Sequence, residues 1–212
     1  ATLADRFQQG ALDAGHEVYR FDAAFQDVHP CIGCDKCRRT GTCTFAADDM
    51  KLLNPHLLAA DAVVFVSPIY YFTINAQLKA VIDRFYANNE VLMGGKKAVL
   101  ITAMADTEMD SALAANEMFR QMTGYLGWEN AGVLNARNAP TAADLSGDDL
   151  ERAYALGKAQ RVITELRRRV QAQGERVAEP QPVRVEERLR GHRLVRAGRV
   201  RGPAGDDDRA LH

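Results

Sequence analysis

Two runs, Ala62-Val63-Val64-Phe65-Val66 and Ala98-Val99-Leu100-Ile101-Thr102-Ala103, are continuously apolar and rich in β-branched residues. A strand with one wet face alternates apolar and polar residues. A strand that does not alternate is covered on both faces by helices, which is the condition of a parallel sheet. Between the runs, Ile74 to Tyr86 places Leu78, Val81, Ile82 and Phe85 at helical spacing. After the second run a helix passes through Leu113, Met118, Met122 and Tyr125, and Gly132 to Ala136 forms a third, weaker strand. Strand and helix therefore alternate, which predicts right-handed crossovers and an α/β fold with helices on both sides of the sheet.

Upstream, Thr2 to Ala14 is helical, with Leu3, Phe7, Ala11 and Ala14 on one face and Gly15 at the C-terminal cap. His16 to Phe21 reads as a short strand through Val18 and Phe21, and Pro30 to Cys43 as irregular loop. Asp48 to Ala60 is a helix carrying Met50, Leu53 and Leu57, which Pro55 is expected to kink or divide. The last helix starts at a Ser146 cap with Asp149 three residues on, continues through Leu150, Tyr154, Ile163 and Leu166, and ends near Arg169. Residues 1–169 are thus one domain. From Gln171 onward nine basic residues face seven acidic ones among isolated valines. Too little apolar surface is present there to offset chain entropy, so 170–212 is expected to be a disordered charged tail. A hairpin of Val183 to Val200 around Gly191-His192 is the alternative.

A unit of this kind begins with a strand, and the loop from that strand to the first helix usually cradles a phosphate. The sequence is expected to begin inside its first helix, with that strand and loop missing. Because the missing strand would be central, poor soluble expression of the chain as written is expected.

Lys and Arg total 27 against 28 Asp and Glu, a net charge of -1, so no global field gathers nucleic acid or anionic lipid. No run approaches the roughly 18 apolar residues of a membrane span. No signal peptide is expected, and the four cysteines lie within thirteen residues rather than spread as staples of a secreted fold. These features point to cytoplasmic chemistry with a small partner.

Cys31, Cys34, Cys37 and Cys43 have the spacing C-x2-C-x2-C-x5-C, which lets one loop present several thiolates to one centre. Spacing alone leaves three readings open: a 4Fe-4S cluster, redox-active or unliganded thiols, and zinc. Lys36, Arg38 and Arg39 favour thiolates in all three. A second candidate site is the exit of the first buried strand, Ser67, Pro68, Ile69, Tyr70, Tyr71, Phe72 and Thr73. Ligands of open parallel sheets bind beyond the carboxyl ends of the strands, and three consecutive aromatics there suit a flat ring such as a flavin. Packing of Tyr70 and Phe72 on the adjacent helix is the plain alternative. Ala103, Met104, Ala105 and Asp106, with Thr107, leave the next strand and flank the same crevice.

The chain resembles the flavodoxin-like NAD(P)H-dependent FMN reductases, especially their iron-sulfur flavoprotein branch. The resemblance lies in Pro30-Cys31-Ile32-Gly33-Cys34-Asp35-Lys36-Cys37, Asp48-Asp49-Met50, Ala60-Asp61-Ala62, Ser67-Pro68-Ile69-Tyr70-Tyr71 and Ala76-Gln77-Leu78-Lys79-Ala80-Val81-Ile82-Asp83-Arg84. It covers residue 1 to about Arg169. It implies a three-layer sandwich with a parallel sheet of order 2-1-3-4-5, whose first strand is absent from this chain. It also implies that Ser67–Thr73 and Ala103–Asp106 bind FMN, that NAD(P)H is the electron donor, and that the chain forms a homodimer. The four cysteines would ligate a 4Fe-4S cluster. The expected activity is transfer of electrons from NAD(P)H through FMN to a small, quinone-like acceptor or to that cluster. No catalytic side chain is expected, because hydride transfer to flavin needs stacking more than an acid or base. Two alternatives are a carrier reduced by ferredoxin and an inactive thiol- or metal-binding remnant.

The five histidines show no metal spacing and are expected at the surface or in packing. Asp5 with Arg6, and Asp83 with Arg84, are expected to be solvated helix charges. Trp128, Met118 and Met122 are expected in the core.

Overall fold

A computed structural model describes residues 1–159. Its elements, in order, are α1 (Thr2–Asp13), α2 (Lys36–Thr40), α3 (Met50–Ala59), β1 (Ala62–Tyr70), β2 (Thr73–Ile74), α4 (Ala76–Asp83), α5 (Asn89–Leu92), β3 (Lys97–Ala103), α6 (Leu113–Leu126), β4 (Glu129–Ala136) and α7 (Gly147–Ala159). A 3-10 turn, Arg84–Asn88, extends α4. The sheet runs β2-β1-β3-β4, with β1, β3 and β4 parallel and β2 antiparallel to β1. The three parallel strands stand side by side in chain order, as the 3-4-5 half of the expected order requires.

The alternation of side chains along the strands sorts the core into two layers. Phe65, Ala98 and Leu100 face Met50 and Leu57 of α3, Val81 and Phe85 after it, and Phe119 and Leu126 of α6. Val99, Ile101 and Leu134 face the other way, onto Leu3, Phe7 and Ala11 of α1 and Ala153 of α7. The result is the predicted three-layer sandwich. β3 is flanked on both sides and its Ala98–Thr102 are fully buried, which is why that run does not alternate. Its one buried hydroxyl, Thr102, donates to Asn135 Oδ1 at 2.6 Å.

α1 and α7 cross at two glycines. A Cβ on Gly10 would lie inside contact distance of the Tyr154 carbonyl and 3.1 Å from Lys158 N; one on Gly157 would overlap the Phe7 carbonyl and lie 2.9 Å from Ala11 N. Only hydrogen fits between these backbones.

Several elements differ from the sequence reading. His16–Phe21 forms no strand. Among the described residues the β1 edge away from β3 is paired only at Ile69 and Tyr70, so this segment has no ladder to join, although Val18 packs on the core. Pro55 lies inside an undivided α3. Ile74 belongs to β2, and the helix starts at Ala76 behind an Asn75 cap whose side chain accepts from Leu78 N–H. In α6 the buried face is Ala115, Phe119, Thr123 and Leu126. Leu113 and Tyr125 are exposed and Met118 is half-buried, one helical step round from the expected stripe. The cysteine loop contains the short helix α2 rather than being irregular throughout. Trp128 is buried as expected and donates through Nε1 to the Leu92 carbonyl. The Ser146 cap is present, its Oγ accepting from Asp149 N–H at 3.0 Å. Ile163, Leu166, the helix end near Arg169 and the 170–212 tail lie outside the described residues. No helix among the described residues is long and apolar enough to cross a membrane.

Candidate functional site

β1 and β3 run parallel with Pro68 beside Ala103, and Ala103 beside Ala136 of β4, so the three carboxyl ends share one rim. The exit of β1 is a hairpin rather than the open loop expected. Tyr70 pairs with Thr73, leaving Tyr71 and Phe72 as a two-residue turn with φ of 47° and 68°. Both residues are therefore left-handed, the conformation for which tight hairpins choose Asn-Gly. An aromatic residue held there costs roughly 1–2 kcal/mol. The turn displays its rings: Tyr71 is 96% exposed, Tyr70 63% and Phe72 61%. Three large exposed aromatics on a strained turn do nothing for the core.

The hydroxyl of Ser67 is buried and committed to the scaffold. It donates to the Pro68 carbonyl at 2.7 Å and accepts from Asn75 N–H at 2.9 Å, tying the hairpin to the start of α4. On the neighbouring rim, Met104 is buried and its N–H donates to the Ala136 carbonyl. Asp106 accepts from the Ser111 hydroxyl and from Glu108 N–H, and these bonds hold its carboxyl below the usual carboxylate range. Its carboxylate thus folds its own loop, and the Met104 carbonyl is likewise taken, by Ala139 N–H. The β4 exit, which sequence reasoning missed, is woven into this rim: Asn138 N–H donates to the Asp106 carbonyl and Arg137 Nη1 to that of Thr107. Its signal was available, since β4 is the third parallel strand ending at the same edge.

The four cysteines form a second centre beyond the other end of α4. All are free thiols, Cys31 and Cys34 exposed and Cys37 and Cys43 half-buried. They line one concavity together with Ile32, Asp35, Asp83, Arg84 and Tyr86. Thr44 Oγ1 lies 3.3 Å from Cys34 Sγ; this contact, the Lys36 N–H and the nearby Arg39 hold the Cys34 thiol below its ordinary range. Tyr86 donates to Asp35 Oδ1 at 2.8 Å, pinning the start of α2. Among the described residues no three His, Cys, Asp or Glu side chains converge tightly enough to hold one metal ion.

Arg84 contradicts its expectation as a solvated charge. It is 3% exposed and paired with Asp48, whose side chain is 8% exposed. Burial pushes Asp48 up, but the Arg84 guanidinium and the N–H groups of His29 and Met50 outweigh it and hold the carboxyl below its usual range. Asp83 instead pairs with Lys79, and Asp5 and Arg6 make surface pairs with Arg20 and Glu151. His29 stacks on Phe45 and His56 on Tyr19, in packing roles as expected.

A parallel α/β sandwich with an exposed aromatic platform at the strand ends defines a flavodoxin-like protein. The chain matches the model of the family described as NADPH-dependent FMN reductase over residues 1–134, and it belongs to that family. It is 34% identical over 84 residues to an iron-sulfur flavoprotein of Archaeoglobus fulgidus, 39% of this chain and 38% of that one. It is 29% identical over 110 residues to an FMN-dependent NADH:quinone oxidoreductase of Pseudomonas fluorescens, 46% of this chain and 54% of that one. The matched stretch thus spans about half or less of these relatives. Among solved structures, an NAD(P)H:quinone oxidoreductase from Methanothermobacter marburgensis superposes with a TM-score of 0.57 at 20% identity, covering 74% of this chain and 87% of the other. An azoreductase from Bacillus anthracis gives 0.56 at 23%, covering 74% and 91%. These two likenesses bear on the fold.

Proposed function

We propose that the protein is an NAD(P)H-dependent flavin oxidoreductase that binds FMN at the strand ends and passes electrons to a small, quinone-like acceptor or to a cluster held by the four cysteines. The aromatic hairpin carries the proposal. It is an exposed apolar platform whose backbone strain has no packing reward, and strain of this sort collects where a ligand is held. The residues present fit the flat ring. Tyr70, Tyr71 and Phe72 offer ring faces, Pro68 fixes the turn, and Ile69 and Thr73 frame it. Ser67 holds the turn to Asn75, and Ala103, Met104, Ala105 and Asp106 form the opposite rim. When bound, the flavin accepts hydride and releases electrons singly or in pairs; the chain's task is to stack, orient and shield it. The names of the relatives, iron-sulfur flavoprotein and FMN-dependent NADH:quinone oxidoreductase, support the same reading.

Cys31, Cys34, Cys37 and Cys43 also fit an iron-sulfur group. Four thiols line one concavity, and thiolate is the ligand that iron-sulfur groups take. A homodimer in the cytoplasm is the assembly we propose. A second reading is a carrier reduced by ferredoxin, favoured by the exposure of Cys31 and Cys34, which a protein partner can reach.

The deciding experiment is anaerobic titration of the FMN-loaded chain with NADPH and NADH, with iron and acid-labile sulfide determined on the same sample. Bleaching of the flavin band by the nicotinamide alone is expected, and its failure while reduced ferredoxin succeeds would leave the carrier. Phe72→Gly is a companion test. It should raise stability by about 1 kcal/mol by relieving the left-handed strain while weakening FMN binding. A melt and a flavin titration read the two effects, and unchanged FMN affinity would count against the platform.

A further inference from the structure

The cysteine loop enters at His29 and leaves at Phe45, and both stems meet a single guanidinium. Arg84 Nη1 donates to the His29 carbonyl at 2.7 Å and Nη2 to the Phe45 carbonyl at 3.0 Å. The same fork is paired with Asp48, which in turn accepts from His29 N–H at 3.0 Å and from Met50 N–H at 3.0 Å. His29 and Phe45 stack with ring centroids 3.6 Å apart, and the guanidinium carbon lies 5.7 Å from the Phe45 centroid. Arg84 also lines the concavity that all four cysteines share.

We infer that Arg84 and Asp48 are positioning residues for the cysteine loop: they close its neck and so set where the four thiols stand before anything is bound. Three features carry this. The bonds go to backbone carbonyls on both stems, so they fix chain path rather than one side chain. The pair is buried, so water does not compete for it. The planar fork reaches two carbonyls and a carboxylate together, which the single ammonium of lysine does not reproduce. The inference does not depend on which group the thiols hold.

The test compares the full chain with Arg84→Lys and Asp48→Asn by amide hydrogen exchange, reading residues 31–44 against β3, and by iron and sulfide content after anaerobic reconstitution with ferrous iron and sulfide. In Arg84→Lys the loop amides should exchange about tenfold or more faster while β3 keeps its protection, and retained iron should fall severalfold. Unchanged loop protection would overturn the inference. So would a loop already unprotected in the wild type, or protection lost equally in the loop and β3. If both variants fail to fold, the pair is a fold element rather than a loop positioner, which overturns it too. A wild-type chain that takes up no iron counts against the cluster alone, because the exchange reading stands.

Discussion

Gly157→Ala is expected to destabilise the protein by about 3 kcal/mol or more, because the added methyl meets backbone that cannot turn aside. It would overlap the Phe7 carbonyl, with Ala11 N 2.9 Å away. Gly10→Ala should behave alike from the opposite helix. For a domain of this size the loss corresponds to roughly 10 °C in Tm. Gly124→Ala is the control. It too lies within a helix, but nothing stands within 4 Å of its Cβ position. There the usual helical preference for alanine should stabilise by roughly 0.5–1 kcal/mol. Thermal melts of the three variants test the crossing, and a mild effect at both Gly10 and Gly157 would mean that α1 and α7 are not in this close contact.

Arg84→Met is expected to cost about 3–5 kcal/mol at neutral pH, the usual consequence of leaving one partner of a buried ion pair alone. Asp48 would then be buried without its cation. The pH dependence gives the diagnosis. In the wild type the Asp48 carboxyl is held below its unfolded value, so its contribution is fully present above the ordinary carboxylate range and is lost as pH falls through the depressed folded value. In Arg84→Met burial dominates and the folded value rises. Protonation then relieves the folded state, and the gap between variant and wild type should narrow from pH 7 towards pH 4. Urea melts across that range read it, and a gap that stays constant would assign the loss to packing.

The sheet was legible because β3 is buried on both faces and says so in an unbroken apolar run, and β1 carries a like run although most of its residues are half-buried. The helices were legible in their stripes, although α6 was read one step out because Leu113 and Tyr125 are apolar yet exposed. His16–Phe21 misled for a different reason: a strand needs a partner ladder, and local composition does not reveal one. Both sites were visible as composition, four clustered cysteines and three adjacent aromatics. Their conformations were not, since nothing in Tyr71-Phe72 announces a turn that normally asks for Asn-Gly. Arg84 was the largest miss. At helical spacing beside Asp83 it looks like a solvated charge, and only the return of the chain from residues 29 to 48 across it converts it into a buried tie.

One helix serves both centres. Asn75, which holds the aromatic hairpin, caps the start of α4, and Arg84, which holds the cysteine loop, follows its last residue. Nine residues at 1.5 Å each set the two anchors about 13 Å apart along the axis. α4 therefore behaves as a ruler with an angular scale as well as a linear one. Substitutions on its outer face leave both readings unchanged, whereas inserting or deleting a single residue swings one anchor by about 100° relative to the other. This segment should tolerate change of sequence far better than change of length, because its residue count sets how the two anchored loops stand to one another.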